Sequence, residues 1–147
     1  MPRYSAGIKT GVGSTDLPII SLYASASVGA KIREIGVFNT TATALAIRLA
    51  RLTSADAQGS ALTKSKHDPD SAAAGCTAHG TGSGSPTPVK GDDLGYRAVL
   101  GATVGSGVIF TFGDAGIRVD PGAANGIGVL IEEGAGQACQ AYIVWDE

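Results

Sequence analysis

The chain contains few of the residues on which catalysis, disulfide bonding and membrane insertion usually depend. Among its 147 residues are 2 cysteines, 2 histidines and 1 tryptophan, and aromatic residues make up 5%. Two cysteines cannot form a disulfide framework, so we expect Cys76 and Cys139 to be small buried hydrophobic residues. No run of about 18 apolar residues is present, which argues against a membrane span.

Charged residues are also scarce. They make up 16% of the chain, and the net charge is −2, whereas globular domains average about 25% charged residues. No basic run is present, which argues against nucleic-acid binding because such proteins present clustered Lys and Arg. The first residues contain no apolar segment typical of a signal peptide, so we expect synthesis in a cytoplasm. Neither a nucleic acid nor a membrane is therefore expected as a partner.

Three short segments resemble functional motifs but fit turns and loops better. The segment "HDPD" contains His67, Asp68 and Asp70, yet its spacing matches no defined metal motif, and Asp-Pro-Asp is typical of a turn. The segment "GTGSGS" has no strand before it and no helix after it to aim amides at a phosphate. "GSGSP" lacks the last glycine of a nucleophile elbow. We predict no catalytic residue, no metal and no cofactor, and that the chain is not an enzyme.

Glycine, by contrast, is abundant. The chain has 22 glycines, about twice the usual share of roughly 7%, which suits many tight turns better than long helices. Nine short apolar runs alternate with turn residues, and several have period two. These runs are YSAGI, LPIISLY, KIREIGVF, ALAIRLARL, LGYRAVL, GVIFTF, GIRVD, NGIGVLIEE and ACQAYIVWDE. The pattern predicts an all-β fold, an antiparallel β-sandwich in one domain over residues 1–147.

The most patterned stretch, Lys31–Leu52, fits either a helix entry or two strands. Leu45, Leu49 and Leu52 have helical spacing, but "EIGVF" and "NTTAT" are poor helix interiors. We favour two strands, Ile32–Phe38 and Ala44–Leu52, paired across the Asn39–Thr43 turn. Arg48 and Arg51 in the second strand either cover a neighbouring subunit or lie on an exposed strand face.

Two segments fall outside the strand pattern. Residues 63–93 include "GTGSGSPTP" and predict a long flexible loop, with one short strand around Ala73–His79. The first fifteen or so residues are Gly-rich and polar, and Pro2–Ser14 is predicted to form an arm. Within the arm, Arg3 and Tyr4 are the residues that we expect to contact a partner.

Several segments together resemble a group of small tailed-phage virion proteins. They are "IREIGVFNTTATALAIRLARLTSADAQGSALT", the following "HDPDSAAAGC", and the C-terminal "NGIGVLIEEGAGQACQAYIVWDE" that closes on Trp145, Asp146 and Glu147. The resemblance covers about two-thirds of the chain, Lys31–Pro69 and Asn125–Glu147. It implies an eight-stranded jelly roll, a structural role on the virion and no catalytic residues.

The expected function is therefore that of a bacteriophage capsid decoration protein. Such a protein binds the assembled shell and stabilises it, here as a homo-oligomer for which a trimer is favoured. The expected partners are further copies and the major capsid protein or another virion protein, and the expected location is the virion. The alternatives are a tail- or fibre-associated virion protein and a carbohydrate- or receptor-binding module.

Overall fold

The computed structural model describes residues 1–147 and contains eleven β-strands and no helix. The strands are β1 (Arg3–Lys9), β2 (Ile20–Tyr23), β3 (Ala30–Asn39), β4 (Leu45–Leu52), β5 (Ser65–Lys66), β6 (Thr77–His79), β7 (Lys90–Leu100), β8 (Gly107–Thr111), β9 (Ile117–Val119), β10 (Gly126–Glu133) and β11 (Cys139–Asp146). Each of the nine apolar runs seen in the sequence overlaps one of these strands. No helix is therefore present that could cross a membrane.

The strands form two antiparallel sheets that enclose one core. Sheet A has the order β5-β1-β11-β3-β8, with β9 also pairing with β3, and sheet B has the order β6-β2-β10-β4-β7. A cluster of 24 buried residues from both sheets fills the space between them. The predicted all-β antiparallel sandwich is confirmed. Eight strands have four or more residues, and β5, β6 and β9 have two or three.

Alternation along the strands builds this core. Alternate residues of two strands share the face that packs on the core: Ile127, Val129 and Ile131 of β10, and Cys139, Ala141, Ile143 and Trp145 of β11, all belong to the core cluster. Val108, Phe110 and Phe112 lie partly buried against it. Because each fully buried aliphatic side chain contributes about 1.5–3 kcal/mol, aliphatic residues can hold the fold with few aromatic residues.

The predicted pairing of the two strands around Asn39–Thr43 is wrong, although both strands exist. β3 lies in sheet A and β4 in sheet B, so the connection between them passes from one sheet to the other. β3 pairs with β11, β8 and β9, and β4 pairs with β10 and β7. Period-two alternation identifies the buried face of each strand but does not identify its partner.

The predicted N-terminal arm is also corrected. Arg3–Lys9 is β1, which pairs with β11 along its whole length and with β5 at two positions. Tyr4 is 1% exposed and packs beside Trp145, with ring centroids 5.9 Å apart. Its side chain is therefore part of the core and is not available to a partner, which overturns its assignment as an interface residue.

The segment 63–93 is more structured than predicted. It contains β5, β6 and the start of β7, and the short strand expected around Ala73–His79 is confirmed as β6. Lys64, which precedes β5, is linked to the residues before β6, because its Nζ donates to the carbonyls of Ala74 and Cys76 at 2.9 and 2.8 Å. The long loop is therefore a set of short connections around two brief strands.

Candidate functional site: the β7–β8 edge and the loop end

Most polar clusters of the chain are committed to contacts within it. On the outer face of sheet B, Arg48 Nη1 lies 3.3 Å from Asp93 Oδ2, and Arg97 Nη2 lies 2.7 Å from the same oxygen. Arg97 also pairs with Glu132. Arg51 Nη1 donates to the carbonyl of Arg118 at 2.7 Å and so links sheet B to β9 of sheet A. These contacts account for Arg48 and Arg51 without a neighbouring subunit, and their role at an interface stays a prediction.

A second polar cluster holds the ends of β1 and β11 together. Arg3 donates twice to Asp146, from Nε to Oδ1 at 2.7 Å and from Nη2 to Oδ2 at 3.1 Å. Arg33 Nε lies 3.4 Å from Asp146 Oδ2. The pKa of the Asp146 carboxyl lies below its usual value, mainly because Arg3 donates hydrogen bonds to the ionised form. Arg3 thus fixes a strand end, and a contact to a partner stays a prediction for it too.

The C-terminal Trp-Asp-Glu residues also belong to the framework. Glu147 Oε1 accepts hydrogen bonds from Trp145 Nε1 at 2.8 Å and from the Cys76 amide at 3.0 Å. Its Oε2 accepts one from the Gly75 amide at 2.7 Å. The Glu147 side chain therefore ties β11 to the segment before β6.

The "HDPD" segment is a turn, as predicted. Asp68 Oδ1 accepts from the Asp70 amide at 3.0 Å, and the Ser71 amide donates to the Asp68 carbonyl at 3.1 Å. The His67 amide donates to Arg3 of β1 at 2.9 Å. No three His, Cys, Asp or Glu side chains lie close enough to hold a metal ion. The largest surface depression, about 580 Å³, is an open hollow beside this turn.

Both cysteines are free and buried, as predicted. Burial raises the pKa of Cys76 to about 12 and that of Cys139 to about 11. The thiols are therefore protonated and shielded at neutral pH, and neither resembles an activated nucleophile.

One side of the sandwich is unlike the rest of the surface. β7 and β8 are consecutive in the chain, and each is the last strand of its sheet on that side, so they form an open edge that we call the β7–β8 edge (residues 94–112). Of the eleven residues of β7 only Leu100 is buried. Four of the eight exposed large hydrophobic residues of the chain lie here: Tyr96, Val99, Val104 and Ile109.

An aromatic cluster fills the gap between the two edge strands. The Tyr96 ring meets Phe110 and Phe112 edge-on, with ring centroids 5.8 and 5.0 Å apart. Because Phe110 and Phe112 are only partly buried and Tyr96 is 40% exposed, the cluster closes the core on this side incompletely. Such half-exposed aromatic residues are enriched at protein–protein interfaces.

This edge also carries almost no charge. Residues 98–113, "AVLGATVGSGVIFTFG", are sixteen consecutive residues without a charged side chain. Native proteins usually protect an exposed edge with charged side chains, Pro or bulges. β7 follows that rule only in its first half, where the register shifts twice against β4 between Arg48 and Leu52. The last three residues of β7 (98–100) and the whole of β8 lack a charged side chain.

The neutral surface continues onto one end of the sandwich, the loop end, which consists of residues 10–14, 40–44, 101–106 and 134–138. None of the four loops contains a charged residue. Asn39, fully buried, ties two of them together: its Nδ2 donates to the carbonyls of Thr43 at 2.7 Å and Gly101 at 3.0 Å. Thr40 Oγ1 donates to the carbonyl of Ala138 at 2.7 Å and so links the loop 134–138 to the loop 40–44.

Sequence reasoning identified the strands of this site but not the site itself. The uncharged run at 98–113 was visible, but the side of the sandwich on which it lies depends on the strand order. Comparison of the chain with protein-family models, with curated proteins and with solved structures found no match. A function can therefore be inferred only from the geometry of the chain and from the expectations that its sequence raises.

Proposed function

We propose that the chain is a bacteriophage virion structural protein, a capsid decoration protein that binds and stabilises the assembled shell as a homo-oligomer, with a trimer favoured. The observation that carries the proposal is the exposed, uncharged β7–β8 edge. A half-exposed aromatic cluster beside an unguarded strand edge favours a protein that works while covered by other protein. The polar clusters add no rival site, since they are engaged within the chain.

We also propose that the sandwich is a jelly roll. Four strand pairs nest along the chain, β1 with β11, β2 with β10, β3 with β8 and β4 with β7, as in one long hairpin folded over. Successive pairs fall alternately in sheets A and B, which gives the orders β1-β11-β3-β8 and β2-β10-β4-β7. Two four-stranded sheets with such return connections are the jelly-roll arrangement.

A decoration protein needs a surface for the shell, and we propose the loop end. Its loops are held together by Asn39 and its neighbours, so they form a fixed surface. They carry Val12 and Val104, exposed at 55% and 68%. Binding to the assembled lattice but not to its free subunits would stabilise the shell by mass action.

Cosedimentation with shells that lack the protein tests this proposal. The wild-type chain should pellet with the shells and raise the temperature at which they release their contents. Val12→Lys should weaken the binding at least about tenfold, because a lysine would be desolvated on a neutral contact surface. Absence of pelleting by the wild-type chain would overturn the capsid assignment and favour a tail or fibre location.

A second candidate, carbohydrate binding, has one observation in its favour. On the outer face of sheet A the Tyr142 ring lies over Gly36, and the Phe38 ring lies over Gly107. Each ring therefore has one face against the backbone, and flat aromatic faces attract the C–H groups of a sugar ring. Tyr4, Tyr23 and Trp145, by contrast, are fully buried. Binding on a glycan array that is lost in Tyr142→Leu would favour this candidate, and no binding would exclude it.

A further inference from the structure

The β7–β8 edge has properties that select its occupant. Its first flank, on the sheet B side, presents Val99, which is 76% exposed, and its second flank, on the sheet A side, presents Ile109, which is 51% exposed. Between them lies the aromatic cluster of Tyr96, Phe110 and Phe112. Along the chain no charged residue lies between Arg97 and Asp114, although Glu133 lies beside Val99 on the sheet B side.

We propose that a second copy of this chain covers the β7–β8 edge. This inference rests on the proposed function and names the surface through which its copies assemble. An open strand edge presents unpaired N–H and C=O groups and is a template for pairing with another chain, and no charged residue guards this one between residues 98 and 113. The same strip on a second copy matches it in polarity and brings no like charge to it within those residues.

The size of the edge is consistent with self-association in which each copy uses both flanks. Seven residues of β7, at about 3.3 Å each, span about 23 Å, and the two sheets lie about 10 Å apart. With side chains on both flanks the patch is about 20 Å wide, or ~460 Å² per copy and ~900 Å² for a pair, close to the lower limit of about 1,000 Å² for a specific interface. A closed ring in which one copy's Val99 flank meets the next copy's Ile109 flank increases the area buried per copy. We therefore expect association that depends on concentration.

Sedimentation or light scattering of the purified full-length chain tests the inference. The monomer mass is 14.6 kDa, and the wild-type chain should show a multiple of it at concentrations up to about 100 μM, since interfaces of this size bind in the micromolar range or tighter. Val99→Lys and Ile109→Lys should each raise the dissociation constant at least about tenfold. Val12→Lys, at a valine of similar exposure away from the edge, should leave the mass unchanged.

A second measurement avoids introducing a charge. Because Cys76 and Cys139 are buried, a cysteine placed at 109 or at 12 is the only accessible thiol. Ile109→Cys should react with a maleimide more slowly as protein concentration rises, and Val12→Cys should react at one rate throughout. A monomeric wild-type chain, unchanged mass in both lysine variants, or concentration-independent labelling of Ile109→Cys would each overturn the inference. Shell binding by such a monomer would overturn self-association but leave the proposed binding to the shell standing, so the two failures can be told apart.

Discussion

Replacing Asn39 with alanine should destabilise the protein more than any change at an exposed loop. Asn39 is fully buried and makes four side-chain hydrogen bonds: two from its Nδ2, to Thr43 and Gly101, and two to its Oδ1, from the amide and the hydroxyl of Thr41 at 3.0 Å each. A typical hydrogen bond contributes about 0.5–1.5 kcal/mol net, so four give roughly 2–6 kcal/mol. Water can reach the exposed Thr43 and Gly101 once the side chain is gone, which places the expected loss at about 2–4 kcal/mol.

Urea unfolding followed by tryptophan fluorescence measures this loss, because Trp145 lies in the core. The matched control is Asn125→Ala, which removes two long hydrogen bonds, to Asp120 and Pro121 at 3.2 and 3.1 Å, in an exposed turn. The control should cost at most about 1 kcal/mol. A loss below about 1 kcal/mol for Asn39→Ala would refute the view that this residue holds the loop end together.

Three further outcomes follow from the buried groups. Cys76 and Cys139 should resist alkylation at neutral pH in the native protein and react together once urea unfolds it, because burial keeps both thiols protonated; native reactivity measured by mass spectrometry would contradict this. The pKa of Tyr142 is raised to about 12 by burial and by its hydrogen bond to Glu34, so the contribution of Tyr142 to stability should be constant below about pH 10 and be lost from there to about pH 12, and Tyr142→Phe should reduce the alkaline fall in stability by that part. Arg3→Ala should cost about 1 kcal/mol at pH 7, because the Arg3 side chain is 43% exposed and solvent screens its bonds to Asp146, and the loss should shrink as pH falls through the lowered pKa of Asp146; a loss equal at pH 7 and pH 2.5 would contradict the pairing.

The sequence predicted which segments are strands but not how they pair. Alternation in β10 and β11 identified their buried faces because one sheet face packs on the core. The Asn39–Thr43 turn fits a hairpin and a connection between sheets equally well, and only the partners of β3 and β4 decide between them. Those partners, β11 and β10, lie near the other end of the chain.

The N-terminal strand was assigned to an arm for a different reason, although its run YSAGI was counted among the strand-like segments. Its alternation is carried by Tyr4, Ala6 and Ile8, with the small Ser5 and Gly7 between them, which resembles a Gly-rich arm. The structure explains the glycine: a Cβ at Gly7 would lie 3.1 Å from the Cβ of Tyr142 on the neighbouring strand. A small residue demanded by a cross-strand neighbour cannot be recognised before that neighbour is known.

The alanine- and arginine-rich β4 is explained in part by contacts within the chain. A neighbouring subunit beside Arg48 and Arg51 stays a prediction. In the structure Ala50 is buried within the chain, where it pairs with Gly128, and a Cβ at Gly128 would touch Pro18 of the segment that crosses the outer face of sheet B. The candidate interface moves instead to β7 and β8, where charge is missing.

Electron microscopy of virions that carry this protein, at a resolution that traces the chain, tests the central claim most directly. The account predicts two-sheet density on the outside of the shell, with the loop end towards the lattice and residues 98–113 of each copy covered by a neighbouring copy. Density only at the tail, or copies on the shell whose β7–β8 edges face solvent, would contradict it.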